Sequence, residues 1–369
     1  MKSFKEGTRA FGLWRLTALA IPLCVALGAA GVSRAEDGLG EWNVNPLRGP
    51  VDLGLADPAL VGAIDVHVHL DPDAPGPSGV IRALDVFDAA ALAKARGLRG
   101  FVYKTHQDAE SAGAAYLVRK HAPGLEVFGR TASNYATGGI NVAELVHYSR
   151  IKGGWGRIYE MPTLDSITAT TRPGSMDPQN LERTRPWMLM MPEGTPPYIA
   201  VSKNGELLPE VKHLISVLAK IRTVDSNGRM VLATGHATPE EHLLLAREAR
   251  RQGLNVLLTH PGDIPQLPEA AKLGAFIEVT ASTIYKTEAA RAAAAALIRK
   301  IGAESIIIST DCGQTGNVYP TDCLALAARG LRAHGITQAE LDLMYKTNPA
   351  KLLGLPPLEQ TAFSNAARQ

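Results

Sequence analysis

This 369-residue sequence has few cysteines and a small net charge, and it lacks a recognisable phosphate-binding loop. Three cysteines are too few for the disulfide framework of a small secreted domain. The formal net charge is +2. The sequence contains no basic patch of the kind that would indicate a nucleic-acid partner. No glycine-rich phosphate loop follows the first predicted strand, which disfavours a nucleotide-binding doubly wound sheet. What remains is a globular chain, 46% apolar and 20% charged, with ample core material for one large domain or two ordinary ones.

The first 35 residues are typical of a secretion signal. They hold five basic residues and one acidic residue, which leaves 33 basic and 35 acidic residues in the rest of the chain. A basic stretch precedes the apolar run 16–32, and Ser33 and Ala35 fit a cleavage site before Glu36. The run contains Pro22 and is shorter than the roughly 20 residues of a spanning helix. We therefore predict a secreted or periplasmic protein without stable membrane insertion after cleavage.

Eight short β-rich runs alternate with longer helical stretches. Near-continuous apolar strands that alternate with helices indicate a parallel sheet covered by helices. Eight such units fit a closed (β/α)8 TIM barrel of roughly 250 residues plus insertions, with an open doubly wound sheet as the alternative. The runs are residues 63–70, 99–106, 125–133, 155–163, 229–236, 254–262, 275–282 and 305–313.

One connection, between strands 4 and 5, is unusually long. Residues 164–228 are rich in proline and contain Asn204-Gly205, a hairpin signal. A segment of this length in a compact domain is typical of a lid or a binding loop. The predicted organisation is a signal peptide at 1–35, a lead-in at 36–62, a barrel at 63–355 that includes the insertion, and a tail at 356–369.

The first strand, IDVHVHL at residues 64–70, combines aliphatic and metal-capable side chains. At the two-residue period of a strand, its four aliphatic residues fall on one face and Asp65, His67 and His69 on the other. In a barrel, reactive groups lie at the carboxyl ends of the strands. We therefore expect both histidines to point into the barrel and not into solvent.

Five of the ten histidines fall at predicted strand ends. Because strands 1, 5, 6 and 8 deliver their ends to the same rim, we predict a metal site there. Imidazole and carboxylate ligands suit Zn²⁺, with Mn²⁺ or Fe²⁺ as alternatives, and a carboxylate beside activated water can shuttle its proton. The predicted ligands are His67, His69, His236, His260 and Asp311, with Asp311 also catalytic. The other histidines, interpreted as surface residues, are His121, His147, His213, His242 and His334.

The ordered motifs DVHVH, GHATPEE, LLTHPG and ISTDCG, followed by NPAKLLGL near the end, resemble the amidohydrolase superfamily over roughly residues 63–355. The resemblance implies a (β/α)8 barrel that binds one or two divalent ions. It implies that these ions activate water to cleave an amide, ester, lactone or phosphoester bond of a small molecule. The five ligands named above carry over to the family's positions, and Asp311 carries over as the proton shuttle.

The residue that would bridge two metal ions departs from the family pattern. Two-metal members place a carboxylated lysine or a glutamate at the end of strand 4, where this chain has no lysine. Glu160 is one candidate bridge. Lys104 on strand 2 is the other, either as a catalytic carbamate ligand or as a solvated or substrate-pairing lysine. His106, Asn134 and Glu160 are predicted to contact substrate.

Two other functions compete with hydrolysis. Decarboxylases and hydratases of the same superfamily use a related single-metal site, and an exported binding protein could retain the barrel without catalysis. A histidinol-phosphatase-like phosphoesterase is disfavoured, because that family ends in Asp-x-His and this chain has STDCG. The sequence leaves open whether Cys312 and Cys323 form a disulfide, which metal binds, and whether the chain forms a homo-oligomer.

Overall fold

Eight strands pair in parallel, in chain order, and form a nearly closed barrel. The computed structural model describes residues 52–73, 82–106 and 110–358. The predicted signal peptide and most of the predicted tail lie outside these ranges, within which no helix is long and apolar enough to cross a bilayer. The strands are β1 (Ile64–His69), β2 (Gly100–Lys104), β3 (Glu126–Ala132), β4 (Gly156–Glu160), β5 (Val231–Ala233), β6 (Asn255–Leu258), β7 (Phe276–Thr280) and β8 (Ile306–Ser309).

Helices connect the strands and cover the outside of the barrel. The predicted (β/α)8 fold is therefore confirmed, as is a long insertion between β4 and β5. The helices are α1 (Val86–Ala95), α2 (Ser111–His121), α3 (Val142–Arg150), α4 (Ile167–Thr170), α5 (Pro178–Thr184), α6 (Pro209–Lys220), α7 (Pro239–Arg251), α8 (Leu267–Lys272), α9 (Ala281–Ile284), α10 (Glu288–Ile301), α11 (Pro320–Ala333), α12 (Gln338–Asp342) and α13 (Asn348–Leu353).

Local sequence signals determine several of these elements. At the amino terminus of α7, the Thr238 side chain accepts from the Glu241 N–H while the Glu241 side chain accepts from the Thr238 N–H, which completes the capping box expected from the sequence. In the insertion, Asn204 and Gly205 have positive φ angles of 52° and 79°. They form the turn of a two-stranded antiparallel hairpin, as the hairpin signal predicts.

The side chains inside the barrel lie in layers. The lowest layer is an apolar cluster to which α13 contributes Ala350, Leu352 and Leu353. The closing motif NPAKLLGL therefore covers the amino-terminal end of the barrel. Above the apolar layer lies a buried layer of charged and polar side chains, and the histidines lie above that. The strand residues of the lowest layer are Ile64, Val66, Val102, Phe128, Ile158, Val231, Ala233, Leu257 and Ile307.

The prediction that the side chains of β1 alternate strictly between the two faces of the strand is wrong. Its pairing with β2 shifts register between Asp65 and Val68. As a result, Val66 packs in the apolar cluster inside the barrel, whereas Val68 packs with the residues facing the helices. A β-bulge of this kind re-aims side chains beside a functional site, and here His67 and His69 still face inward.

The ends of β1 and β8 approach each other closely. The Asp311 N–H donates to the His67 carbonyl at 2.8 Å, and the His69 N–H donates to the Cys312 carbonyl at 2.9 Å. Gly313 has a φ of +125°, and a Cβ there would lie 1.6 Å from the His69 carbonyl oxygen. Only glycine fits this approach, which explains the glycine after Asp311-Cys312. The pairing left open by the sequence is present: a disulfide joins Cys312 to Cys323 on α11.

Candidate metal centre

Three predicted ligands converge on one point at the carboxyl end of the barrel. The Nε2 atoms of His67 and His69 are 3.1 Å apart. The Oδ1 atom of Asp311 lies 3.2 Å from Nε2 of His67 and 3.1 Å from Nε2 of His69. The two imidazoles are buried, whereas 29% of the Asp311 side chain is exposed. The site is therefore buried on the barrel side and open on one side through Asp311.

Hydrogen bonding around His67 determines which atom can bind a metal ion. Its Nδ1 lies 3.0 Å from Oε1 of Glu278, so Nδ1 carries the proton and Nε2 carries a lone pair. That lone pair and the Asp311 oxygen are both acceptors, and acceptors 3.2 Å apart repel each other unless a proton or a cation lies between them. Two imidazole nitrogens and a carboxylate oxygen suit a divalent ion such as Zn²⁺. The residues present thus fit the implied metal.

The charge states also suit metal binding. Burial lowers the pKa of His69 to about 4 and that of His67 well below its ordinary value, so both rings are neutral at pH 7. Burial alone would raise the pKa of Asp311, but the contacts with His67 and His69 outweigh this and hold it well below its ordinary value. Neutral imidazoles and an ionised carboxylate are the forms that ligate metals.

His236 and His260 lie beside this triad. Nδ1 of His236 donates to the Thr163 carbonyl at 3.0 Å, which leaves its Nε2 with a lone pair. The His260 ring lies 5.1 Å from the His236 ring and 5.8 Å from the His67 ring, centre to centre. Ligand atoms of His67, His260 and Glu278 lie within 4.8 Å of one another, but His236 joins neither compact ligand group among the described residues. The structure thus brings the five predicted ligands to one rim and groups three tightly.

Two of the candidate ligands have unusual backbone conformations. His260 has a φ of +24° and Asp311 a φ of +50°. Residues with a Cβ rarely adopt this left-handed region, and each such residue costs on the order of 1 kcal/mol or more. The surrounding contacts must offset that cost, and such strain tends to concentrate at functional sites.

Beneath the histidines lies a layer of four buried charged residues. Arg130 on β3 donates to both oxygens of Glu160 on β4, and Nζ of Lys104 lies 3.2 Å from the same carboxylate. The Arg130 guanidinium is also 3.5 Å from Glu278. Burial lowers the pKa of Lys104, while Glu160 opposes this. Burial alone would raise the pKa of Glu160, but Arg130 and Lys104 hold it below its usual range. Two basic and two acidic side chains thus share the barrel interior.

The predicted substrate-contacting residues divide into two groups. His106 lines the pocket above the metal centre, with its ring stacked 4.9 Å from that of His69. Glu160 is fully buried in the charged layer and Asn134 is fully buried below the loops, and neither lines that pocket. Asn134 donates to the His106 carbonyl at 2.6 Å and to Thr163 at 2.8 Å. Asn134 therefore supports His106 and the loop after β4.

The surface position assigned to His242 is wrong. It lies on the first turns of α7, is 3% exposed, and lines the same pocket. Nδ1 of His242 is 2.7 Å from the Thr234 hydroxyl, and burial lowers the pKa of His242 to about 3. It was missed because its position on a helix gave no strand-end signal; α7 begins directly above β5 and turns this residue inward.

The pocket above the metal centre has a volume of about 400 Å³, and three basic residues are among those that line it. Lys104, Arg82 and Arg172 line it, whereas Asp311 is its carboxylate. Arg82 is paired with Asp73 at 2.7 Å. Arg172, from the insertion, is exposed and has no ion-pair partner among the described residues. Arg185, from the same insertion, donates instead to the Leu164 and Ser175 carbonyls and holds the insertion together.

Sequence reasoning missed Arg130 and Glu278, which organise the interior. The signal that could have found them is a single charged residue inside an otherwise apolar strand, FGRTA for Arg130 and FIEVT for Glu278. Both occupy inward-facing positions at a two-residue period from Phe128 and Phe276. Charged residues are almost never fully buried unless they are paired, so the two runs together predict an internal ion pair.

A family model described as "Family of unknown function (DUF6282)" matches residues 62–278, more than half of the chain. The chain belongs to the DUF6282 family. The matched region of this DUF6282 chain contains His67, His69, His236 and His260, and it ends at Glu278. Asp311 lies beyond it.

Solved structures similar to this DUF6282 chain have low sequence identity to it, and no curated protein sequence matches it significantly. An amidohydrolase from Burkholderia multivorans with bound zinc is 12% identical, with a TM-score of 0.50 over 80% of this chain and 99% of that one. A β-aspartyl dipeptidase from Fervidobacterium islandicum is 15% identical, with a TM-score of 0.50 over 80% and 73%. An organophosphorus hydrolase variant from Deinococcus radiodurans is 15% identical, with a TM-score of 0.49 over 85% and 98%. At such identities the likeness shows the fold alone.

Proposed function

We propose that the protein is a metal-dependent hydrolase that acts on an amide, ester or lactone bond of a small molecule. The convergence of His67, His69 and Asp311 within 3.2 Å, at the base of an open pocket, carries this proposal. His260 and His236 are the proposed ligands of a second ion. Glu278 is assigned an orienting role, since its oxygens already accept hydrogen bonds from His67, Ser309 and the His260 N–H.

A bound divalent ion, most simply Zn²⁺, supplies positive charge that activates water and polarises the scissile carbonyl. Asp311 is ionised and partly exposed to the pocket, so it can take a proton from the attacking water and return it to the leaving group. Glu278 holds His67 in one tautomer throughout. His106 and His242 face the substrate from the pocket walls.

We propose that Lys104 acts as an ammonium. Lys104 is among the residues that line the pocket, and its Nζ lies 3.2 Å from Glu160. A carbamate at this position would place a second negative charge against that buried carboxylate, which is unfavourable in a region of low dielectric. An ammonium is attracted to it instead. Lys104 is then available to hold a substrate oxygen, and Glu160 neutralises Lys104 and Arg130 instead of bridging two ions.

We propose further that the protein works outside the cytoplasm on a small molecule. The Cys312–Cys323 disulfide favours an oxidising compartment, in agreement with the predicted signal peptide. Expression of the full chain in a bacterium should give a periplasmic or secreted product whose amino terminus is near Glu36, as determined by intact mass. A product that retains residue 1 in the cytoplasm would contradict this.

Metal content and activity test the proposed function. We expect one or two ions per purified chain, lost in a His67→Ala/His69→Ala double variant and retained in a control that replaces the exposed His121 and His147 with alanine. A folded wild type that stays metal-free after growth with ample Zn²⁺ and Mn²⁺ would overturn the proposal. Assays over lactones, esters, N-acyl amino acids and phosphodiesters, with product analysis, separate hydrolysis from decarboxylation or hydration and from binding alone.

A further inference from the structure

A second cavity, of about 500 Å³, lies between β7 and α10, beside the metal centre. His260 and Asp311 line both this cavity and the pocket above the histidines. We call the second cavity the α10 groove. Its apolar lining is formed by Val279, Ile284, Ala290, Ala293, Ala294 and Leu297.

The α10 groove exists because α10 is rich in alanine. Its sequence, EAARAAAAALIRKI, presents methyl groups where larger side chains would fill the space. Apart from Asp311, the charged residues that line the groove are already paired or oriented elsewhere. Lys300 and Asp263 pair with each other at 2.7 Å, and Glu278 directs its carboxylate to His67 at 3.0 Å. An apolar occupant is therefore favoured over a charged one.

The two residues shared by the cavities, His260 and Asp311, lie where chemistry is expected. From Ala290 to Leu297, α10 rises roughly 10 Å, so the groove is long enough for a medium-length hydrocarbon chain. A ligand that spans both cavities therefore passes His260 and Asp311. Its other end then lies in the pocket lined by Lys104 and Arg172.

We propose that the α10 groove binds the aliphatic arm of an acyl substrate whose polar part occupies the pocket above the histidines. This inference rests on the proposed hydrolase function and specifies its substrate class as an N-acyl or O-acyl compound. In the reaction, the oxygen of water bonds to the acyl carbon and the C–N or C–O bond breaks. The proton taken by Asp311 passes to the leaving amine or alcohol, and a carboxylic acid is released.

Direct binding of neutral amides tests the groove without requiring turnover. The affinities of butanamide, hexanamide and octanamide for the metal-loaded full-length protein would be measured by calorimetry. We expect affinity to rise about fourfold for each added methylene, the increment for burying one CH₂ group. Ala293→Phe, which fills the groove from an exposed position, should abolish this dependence, and Ala296→Phe provides a second filling variant. Ala292→Phe, on the same helix but outside the groove, should leave it unchanged.

Several results would overturn the inference. These are chain-length independence in the wild type, an equal dependence in the Ala292 and Ala293 variants, or a filling variant that alters only the oligomeric state, which would make the groove an interface between copies. The two proposals can fail separately. Chain-length-dependent binding without hydrolysis of any N-octanoyl amine or octanoate ester would retain the groove and reject the hydrolase. Hydrolysis with equal kcat/KM for all chain lengths would retain the hydrolase and reject the groove.

Discussion

Glu278→Gln tests the metal centre directly, because it changes a hydrogen-bond partner of His67 while leaving His67, His69 and Asp311 themselves in place. In the wild type, one carboxylate oxygen accepts from Nδ1 of His67 at 3.0 Å and from Ser309 at 2.8 Å, and the other accepts from the His260 N–H at 3.1 Å. Glutamine has nearly the same shape but only one acceptor oxygen. If that oxygen keeps His67, the amide NH₂ group faces the His260 N–H, and two donors oppose each other.

The expected magnitude follows from the role of such orienting carboxylates. Removing the hydrogen-bond partner of a metal-ligating histidine typically costs 10- to 100-fold in metal affinity, which corresponds to about 1.4–2.8 kcal/mol. The variant also loses a negative charge 3.5 Å from Arg130. We therefore expect the upper part of that range, accompanied by a moderate loss of stability.

The assay is a competition titration of Zn²⁺ between the purified protein and a chromophoric chelator, with a thermal melt to confirm folding. Glu288→Gln is the matched control, because Glu288 is a surface glutamate whose side chain is 70% exposed. A folded Glu278→Gln protein whose zinc affinity stays within threefold of the wild-type value would refute the orienting role.

Three further predictions concern the rest of the molecule. Arg172→Ala should reduce kcat/KM for anionic substrates about tenfold relative to neutral ones, since a hydrogen bond to a charged group is worth about 1.5–3 kcal/mol. Arg183→Ala is the control, and an equal loss of kcat/KM in the two variants would contradict the prediction. Burial raises the pKa of Glu144 to about 7, so ionising it costs stability as pH rises from its unfolded value to above 7. Glu144→Gln should therefore raise Tm more at pH 8 than at pH 4.5, and a pH-independent change would count against this. Cys323→Ser should lower the free energy of unfolding by about 3 kcal/mol, because the disulfide closes a loop between cysteines 11 positions apart. If reductant left the urea unfolding curve of the wild type unchanged, this prediction would be contradicted.

The barrel could be predicted because its signals are local. Each predicted β-run contains one strand of the barrel, and capping and turn residues predicted the start of α7 and the hairpin of the insertion. The approach of His67, His69 and Asp311 follows from topology alone, since parallel strands carry their carboxyl ends to one rim. Such an argument needs no knowledge of side-chain packing.

The features that were missed depend on contacts between distant strands. The bulge in β1 is a feature of its pairing with β2, which the sequence of β1 alone does not specify. Arg130 and Glu278 are 148 positions apart, and their adjacency exists only once β3 and β7 face each other across the closed barrel. His242 was missed because its inward direction depends on how α7 is placed over β5.

The position of α13 has a consequence for the order of events during synthesis. The apolar lowest layer of the barrel includes Ile64 near the start of the domain and Leu353 near its end. Asn255 and Arg157 donate to the carbonyls of Lys351, Leu352 and Leu353, which attaches α13 beneath the strands. A growing chain lacks α13 until all eight strands have been made, so the lower core stays uncovered until then. Folding of the barrel is therefore finished only after α13 has been made, and a truncation before Ala350 removes part of the core and not a dispensable tail.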